Sequence, residues 1–328
     1  MIISSPDSVF NHIVAFDVGK ESLTIHVLPG GDRFAIANKP KAIRKLLTAQ
    51  MRRNANLSLG TLLVVCEATG GYERHVLEIC VELGIAAHKA HGSRVRHFAK
   101  YLGLIAKNDP LDARVLALFG LKTEDLRLYA PLTPEQEALI GLRARRDQIQ
   151  AMLLAETNRL EHVRDASVSR SLKDHIAMLR KALAAFEARI VAHIQASETL
   201  ARKAALMRSL KCIGPGTATV LLAYMPELGT FNKAGAACMA GVAPFDDDSG
   251  KSRLPRHIEA GRAAVRKALY MAALTAIWHN PIMKSHAEKL RRKGKPAKVA
   301  ITAVMRKLIV TLNAILRTGE PWKHTQIA

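Results

Sequence analysis

The sequence predicts a mixed α/β fold for the N-terminal part of the chain, a helical middle section and an all-α C-terminal section. Short β-branched stretches separated by turn signals precede residue 90, which is typical of strands. Further along, leucine and isoleucine recur at helical spacing. The C-terminal section contains two more long segments that are predicted to be helical. We expect domain boundaries of 1–128, 129–200 and 201–328.

The N-terminal elements follow one another in the order of an RNase H-like fold. Predicted are strands at 12–16, 22–28 and 33–37, a helix at 41–53, a strand at 61–66, a helix at 73–83 and a strand at 85–88. The stretch at 61–66 is continuously apolar, as strands buried on both faces are. A glycine-rich turn at 29–32 predicts a hairpin. Hairpin-connected strands followed by alternating helix and strand are the order of this fold.

The middle section predicts two packed helices. Thr133, Pro134 and Gln136 form a capping box with proline at the first helical position. The apolar positions that follow are Leu139, Leu142, Ile149, Leu153, Leu160 and Val163, then Leu172, Ile176, Leu179, Leu183, Phe186 and Ile190. Arg146 and Glu156 occupy two seam positions. The pattern indicates an antiparallel helical hairpin or coiled coil, and packing within one monomer and an oligomer interface both remain open.

The C-terminal section begins near Arg202 and contains a segment, 210–218, that resembles the hairpin of a helix-hairpin-helix element. In such a hairpin Gly214 and Gly216 let the turn present backbone N–H groups to a DNA phosphate. A plain glycine-rich start of a helix is the other interpretation. Two further helices are predicted at 261–277 and 298–316, with a basic loop at 289–295 between them.

The chain is strongly basic, since 49 Lys and Arg against 28 Asp and Glu give a formal charge of +21. Charge of that size favours a polyanionic partner, and nucleic acid is favoured over a membrane because no segment resembles a basic membrane-surface helix. The N-terminus lacks the basic residue of a signal peptide, and Arg306 and Lys307 interrupt the longest apolar stretch. Four scattered cysteines predict a reducing, cytoplasmic location.

Four carboxylates stand at the ends of predicted elements. Asp17 and Glu67 end two apolar strands. Asp109 and Asp112 lie on one side of a helix that is expected to start near Pro110. The first and fourth strands of an RNase H-like sheet are neighbours, so all four side chains can meet. Such a cluster needs cations, and hard oxygen ligands favour Mg²⁺ or Mn²⁺. Each residue taken alone could instead be a turn or cap residue.

Short motifs around these residues resemble those of one transposase family. The segments are Asp17-Val18-Gly19-Lys20, Glu67-Ala68-Thr69-Gly70-Gly71-Tyr72, Lys107-Asn108-Asp109-Pro110-Leu111-Asp112, Ile213-Gly214-Pro215-Gly216, Ala240-Gly241-Val242-Ala243-Pro244, Asp248-Ser249-Gly250-Lys251-Ser252 and Ala268-Leu269-Tyr270-Met271. They stand in the order found in insertion-sequence family one hundred and ten, which includes the pilin-gene invertases. The resemblance covers nearly the whole chain.

The resemblance implies a RuvC-like N-terminal domain, a coiled-coil insert and a C-terminal transposase domain. The implied metal ligands are Asp17, Glu67, Asp109 and Asp112. Ser249 is the implied nucleophile, acting with the acidic site of another protomer, and Ser252 is a second candidate. Residues expected to contact nucleic acid are Gly214, Gly216, Lys251, Arg253, Arg256, Arg262 and Arg266. The family also implies a structured bridge RNA that selects donor and target DNA.

Two other functions stay open. A RuvC-like junction resolvase hydrolyses DNA with water and needs no serine, and the large C-terminal section with its Ser249-Gly250 segment disfavours it. A non-enzymatic nucleic-acid-binding protein would need only the helices and the charge. For a transposase we expect a dimer that becomes a tetramer on DNA, because recombination holds two duplexes. The acidic run at 246–248 is expected to be a solvated loop rather than a second metal site.

Overall fold

The computed structural model describes residues 10–57, 61–104, 109–124, 126–246, 248–249, 252–253 and 256–323. For Asp109, Pro110, Asp248, Ser249, Ser252 and Arg253 it describes the backbone alone. The chain divides into two compact units, Met1–Pro131 and Leu132–Ala328. The helical middle section belongs to the same unit as the C-terminal helices, and the finer division into three domains stays a prediction.

The N-terminal unit is a sheet with helices on both faces. Its strands are β1 (His12–Val18), β2 (Ser22–Leu28), β3 (Asp32–Ala37), β4 (Leu62–Glu67) and β5 (Ala86–Ala90). Its helices are α1 (Pro40–Leu57), α2 (Arg74–Glu82), α3 (Gly92–Tyr101) and α4 (Asp109–Lys122). All the predicted strands are present, with ends that differ by up to two residues, whereas α3 is absent from the prediction.

The strand order is β3-β2-β1-β4-β5, with β1, β4 and β5 parallel and the two hairpins antiparallel. This order is compatible with an RNase H-like fold, and it makes the first and fourth strands neighbours as predicted. Phe16 and Cys66 face a core that includes residues of α1 and α2, while Ala15 and Val65 face a second core with α3 and α4. Burial on both faces is why β1 and β4 are continuously apolar.

The C-terminal unit is mostly helical. Its helices are α5 (Pro134–Leu160), α6 (Ala166–Ala196), α7 (Glu198–Arg208), α8 (Pro215–Tyr224), α9 (Lys233–Met239), α10 (Ala263–His279), α11 (Pro281–Arg292) and α12 (Ala297–Thr318). Its strands are β6 (Pro244–Phe245), β7 (Asp248–Ser249), β8 (Ser252–Arg253) and β9 (His257–Ile258). The expectation of an all-α section is therefore wrong around residues 244–258, where strands too short to show a sequence period form two small ribbons.

The two long helices α5 and α6 form an antiparallel hairpin. Every predicted seam residue on them is buried or half-buried, and Arg146 pairs with Glu187 across the seam at 2.7 Å. The capping box is only half formed. Thr133 accepts the Gln136 N–H, but the Gln136 side chain donates to Leu222 O at 2.7 Å instead of returning to Thr133. A coiled coil that joins two protomers stays a prediction.

Among the residues that the structure describes, α12 is the one helix long and apolar enough to cross a membrane by length and composition. Half of that stretch is buried, and Leu308 and Leu312 are inaccessible within the core of the C-terminal unit. We therefore regard α12 as a core helix. The predicted basic loop at 289–295 is wrong in part, because α11, capped by Asn280 and started by Pro281, extends through Arg292.

Candidate functional site

Two strand-end carboxylates lie side by side at one edge of the sheet. Phe16 pairs with Cys66 in the parallel β1–β4 ladder, so Asp17 and Glu67 are the next residue on each strand. Neighbouring strands run about 4.8 Å apart, which sets the separation of these two backbones. Phe16 and Cys66 face the α1–α2 core. Alternation along the strands therefore turns Asp17 and Glu67 toward the face that α4 covers.

The helix α4 packs on the same face of the sheet. A Cβ on Gly120 would lie 2.6 Å from Val65 Cγ2 and 3.2 Å from Ile13 Cγ2, so the end of α4 rests near the start of β1. We expect the helix to run antiparallel to the strands on this face. It spans about 12 Å from Gly120 back to Asp112, and β1 spans about 13 Å from Ile13 to Asp17. For such a direction these lengths predict that Asp112 is level with Asp17.

The described side chains at this edge do not converge on one point. Asp109 is the first residue of α4, and its side chain lies outside the described part of the structure. Among described residues, no three His, Cys, Asp or Glu side chains could share a metal ion. Glu67 Oε1 lies 2.2 Å from where a Cβ on Gly92 would stand, so this carboxylate is directed at the first turn of α3. The donor chemistry alone fits Mg²⁺ or Mn²⁺.

A buried carboxylate that the sequence analysis did not select holds the loop after β4. Glu73 is 3 % exposed, and its Oε2 accepts hydrogen bonds from the N–H groups of Thr69 (3.2 Å) and Gly71 (2.8 Å). Its Oε1 lies 2.5 Å from Lys89 Nζ. Burial alone would raise the pKa of Glu73, but the contact with Lys89 and the loop N–H groups lower it to about 2. The loop that follows Glu67 is therefore anchored electrostatically.

Asn38, directly after β3, joins the two loops that follow the carboxylate-bearing strands. Its Nδ2 donates to Gly19 O at 2.9 Å and to Tyr72 O at 3.0 Å. Gly19 follows β1 and Tyr72 lies in the loop after β4. One primary amide has two N–H groups and can bind both carbonyls at once. The sequence offers no sign of this bridge, because the three residues are far apart along the chain.

The helix beside Glu67 carries a basic and aromatic surface. The exposed basic residues of α3 are Arg94, Arg96, His97 and Lys100. Tyr101, at the end of the helix, is 82 % exposed, and its ring stacks on Phe98 with 6.3 Å between centroids. Because α3 starts at Gly92, next to the Glu67 carboxylate, this surface borders the acidic edge of the sheet. Cations and exposed rings are the groups that bind nucleic-acid strands.

Ser249 lies on a two-part β ribbon between α9 and α10. At the end of the ribbon next to the helices, Pro244 pairs with Ile258 and Phe245 with His257. Toward the turn, Asp248 pairs with Arg253 and Ser249 with Ser252. The two serine candidates are thus direct backbone partners, separated by two residues of the chain. Lys251 lies outside the described residues. The choice of Ser249 over Ser252 stays a prediction.

Two glycines close the base of this ribbon. A Cβ on Gly261 would lie 2.2 Å from Gly241 N, so the two backbones touch. Both residues have positive φ, 69° for Gly241 and 68° for Gly261, which glycine adopts without strain. The Arg262 N–H donates to Met239 O at 3.0 Å and adds a hydrogen bond at the crossing. No periodic sequence pattern marks such a contact.

Three arginines near the ribbon whose side chains the structure describes have partners in the protein. Arg262 forms a bidentate pair with Glu227, at 2.5 and 2.9 Å, and donates to Tyr224 O. Arg266 donates to Ala260 O at 2.6 Å, and Arg256 pairs with Asp246 on the exposed ribbon. Arg262 and Arg266 therefore stabilise the base of the ribbon, and their contact with nucleic acid stays a prediction.

The segment that resembles a helix-hairpin-helix turn joins α7 to α8. Ile213 N donates to Leu210 O in the turn, and Gly214 is the N-cap of α8. Gly214 and Gly216 are exposed, with nothing within 4 Å of a Cβ added to either. Two helices and a short exposed turn are thus present. Their identity as a helix-hairpin-helix element and their binding of phosphate stay predictions.

Comparison with known proteins matches both units of the chain. A profile described as "Transposase IS116/IS110/IS902 family" matches residues 204–288, and a DEDD-type profile of IS110 elements, described as "Transposase", matches residues 14–167. The chain is 27 % identical over 266 residues to the pilin gene-inverting protein of Moraxella lacunata, which covers 80 % of this chain and 82 % of the relative. The pilin gene-inverting protein of Moraxella bovis matches with the same identity and coverage.

Proposed function

The chain belongs to the IS116/IS110/IS902 family of transposases, which are DNA-recombining enzymes, and we propose that it exchanges DNA strands through a covalent phosphoserine intermediate. The observation that supports this most directly is the pairing of β1 with β4, which places Asp17 and Glu67 side by side at one sheet edge. A transposase needs a metal-binding acidic site, and the proposed site is centred on this edge.

The proposed metal ligands are Asp17, Glu67, Asp109 and Asp112. Mg²⁺ or Mn²⁺, when bound, would polarise the scissile phosphate and stabilise the charge that develops on it. The carboxylates would hold the ion. Glu67 can take part only if its carboxylate rotates away from the first turn of α3. The basic surface of α3 beside Glu67 is suited to hold the DNA strand against this edge.

Ser249 is the proposed nucleophile. Its hydroxyl oxygen forms a bond to a DNA phosphorus and loses its proton, while one P–O bond of the DNA backbone breaks and the released sugar oxygen takes up a proton. The phosphodiester energy is kept in the serine linkage, so a second DNA end can be joined without ATP. Lys251, Arg253 and Arg256 would neutralise the phosphate. The pairing of Arg262 with Glu227 favours a supporting role for that residue.

A structured guide RNA and a changing oligomer belong to the same proposal. A charge of +21 exceeds what one short DNA site needs, and the family resemblance implies a bridge RNA. Unchanged target choice after RNase treatment would exclude the guide role. The dimer is expected to become a tetramer on DNA, and light scattering that shows a monomer with and without nucleic acid would exclude this assembly.

A strand-transfer assay on paired DNA sites tests the proposed chemistry. The wild-type protein should yield rejoined products that require Mg²⁺ or Mn²⁺, whereas a junction resolvase yields only cut products. Asp17→Asn and Asp112→Asn should each lower the rate at least about a thousandfold, because several kcal/mol of transition-state stabilisation are lost. Folding and DNA binding should be retained. Full recombination in excess chelator would refute the metal site.

A further inference from the structure

A cleft of about 420 Å³ lies between α11 and α12 in the C-terminal unit. It is lined by Pro281, Ile282, Ser285, His286, Lys289 and Lys307. Five of these residues come from one face of α11, because they recur at the spacing of successive helical turns. Lys307 comes from α12 and completes the cleft from the other side. Its lining thus combines two ammonium groups and a hydroxyl with the apolar surface of Pro281 and Ile282.

The helix start fixes the position of these residues. Asn280 caps α11 and its Oδ1 accepts the N–H groups of Ile282 (3.1 Å) and Met283 (3.3 Å). Pro281 occupies the first helical position, which proline favours. Met283 and Ala287, on the opposite side of α11 from the cleft, are buried in the core of the unit. The face that carries Ser285 and Lys289 is therefore held outward by packing.

The electrostatics of the cleft favour an anion. Its lining contains no carboxylate, and neither Lys289 nor Lys307 has an ion-pair partner among the residues that the structure describes. The pKa of His286 is lowered by burial and then by the charges of Lys307 and Lys289, so both ammonium groups lie near its ring. Between Pro281 and Thr318 the chain has ten Lys or Arg residues and one carboxylate, Glu288. Such a surface attracts polyanions.

We propose that this cleft binds a backbone phosphate of a nucleic-acid strand between Lys289 and Lys307, with the adjoining sugar against Pro281 and Ile282. The inference rests on the proposed function and adds a binding site that is separate from the acidic edge and from the serine ribbon. The Ser285 hydroxyl can donate a hydrogen bond to a phosphate oxygen, and the two lysines supply the charge. The phosphate can come from DNA or from RNA.

Binding measured without metal separates this site from the chemistry of recombination. Fluorescent single-stranded DNA and RNA of the same sequence are titrated with full-length protein between about 50 and 200 mM salt. The cleft variant carries Lys289→Gln and Lys307→Gln. The matched control carries Lys284→Gln and Lys298→Gln, two exposed lysines on the same helices. Lys298 stands nine residues before Lys307, and its side chain therefore lies on the opposite side of α12.

For a single strand, each phosphate contact contributes about 0.7 to the slope of log affinity against log salt. For the cleft variant the magnitude of this slope should be smaller by about 1.4 than for the wild type. Whether the change appears with DNA, with RNA or with both identifies the nucleic acid that supplies the phosphate. The control should lose less than about half as much, and Lys289→Arg with Lys307→Arg should restore most of the slope. An unchanged slope in the cleft variant would overturn this inference alone. A wild-type protein that binds neither strand would overturn the proposed function as well.

Discussion

The acidic edge of the N-terminal unit and the serine ribbon of the C-terminal unit are built in opposite ways. Asp17 is the last but one residue of β1 and Glu67 the last residue of β4, both strands are buried on both faces, and the loop after Glu67 is anchored by buried Glu73. The ribbon that carries Ser249 consists of paired strands of two residues each, with exposed Phe245 and Ile258. It depends on a backbone crossing of two glycines at its base.

The two regions differ in how precisely their functional groups must be held. Carboxylates that share a cation need fixed positions, and burial of β1 and β4 provides them. A serine nucleophile, as proposed for Ser249, would need a short exposed support with a firm base. We therefore expect substitutions at the base of the ribbon to remove function, substitutions behind the acidic edge to weaken folding and function together, and substitutions on the ribbon surface to leave stability unchanged.

The largest effect is expected from Gly261→Ala. The new Cβ would stand 2.2 Å from Gly241 N and 2.3 Å from its Cα, and φ is positive. Because the colliding atoms are backbone, the crossing must open, at a cost of about 3 kcal/mol or more from crowding and strain together. Recombination should fall below detection. Thermal unfolding and the strand-transfer assay measure the two effects.

Gly294→Ala is the matched control. Gly294 also has positive φ, 76°, in the same unit, but nothing lies within 4 Å of its added Cβ. The substitution should therefore cost only the strain of the backbone, about 1 kcal/mol, and leave most recombination activity. If both variants lose the same stability and activity, the crossing of Gly241 and Gly261 is not what positions the ribbon.

A smaller effect is expected from Glu73→Gln. The amide cannot balance the charge of Lys89, and we expect a loss of about 1–3 kcal/mol in the free energy of unfolding, with several-fold slower recombination. The pKa of Glu73 is lowered to about 2 from its ordinary 4.5. The folded pKa is below the unfolded one, so ionised Glu73 adds stability above pH 4.5 that is lost as the pH falls toward 2. The variant should lack this step in acid unfolding.

Glu78→Gln on α2 is the control, because it removes an exposed glutamate charge instead of the buried charge of Glu73. Glu78 pairs with Arg74 at 2.6 Å, but both side chains are largely exposed. Exposed pairs of this kind contribute at most about 0.5 kcal/mol. An equal stability loss in the Glu73 and Glu78 variants would show that the loop after Glu67 does not depend on the buried carboxylate.

The smallest effect on stability is expected from Arg256→Gln. Its pair with Asp246 is exposed on both sides, so the melting temperature should stay within about 2 °C of wild type. Recombination should slow several-fold if the guanidinium faces DNA in the complex. Asp246→Asn removes the same pair without removing the cation and should leave recombination near wild type. Equal rates in both variants would remove Arg256 from the proposed phosphate contacts.

Sequence patterns predict the strands and helices whose side chains are buried. They predict few of the tertiary contacts. The apolar runs that end at Asp17 and Glu67 indicated both strands, and the fold order indicated that they are neighbours, which the sheet confirms. Glu73 was missed because a glutamate at the start of a helix is an ordinary cap residue, and its partner Lys89 lies on β5, far along the chain. Gly241 was noted only as part of a motif, since a backbone crossing leaves no period.

The C-terminal unit shows the same limit. The helical spacing indicated the α5–α6 hairpin and α12, whose apolar faces are buried. Strands of two residues cannot show an alternation, so the ribbon of Ser249 was expected to be helical or loop. Gln136 was expected to return to Thr133, yet α8 supplies a nearby carbonyl, Leu222 O, for the same amide. Tertiary partners of this kind are absent from any local pattern.

The most direct test of the account is the covalent protein–DNA adduct, detected on denaturing gels with labelled DNA and Mg²⁺. We predict that the wild-type protein and Ser252→Ala form the adduct and that Ser249→Ala forms none. Asp17→Asn should also form none, because the proposed mechanism requires the acidic site and the serine in the same step. Adduct formation by Ser249→Ala, or wild-type amounts of adduct in Asp17→Asn, would contradict the account.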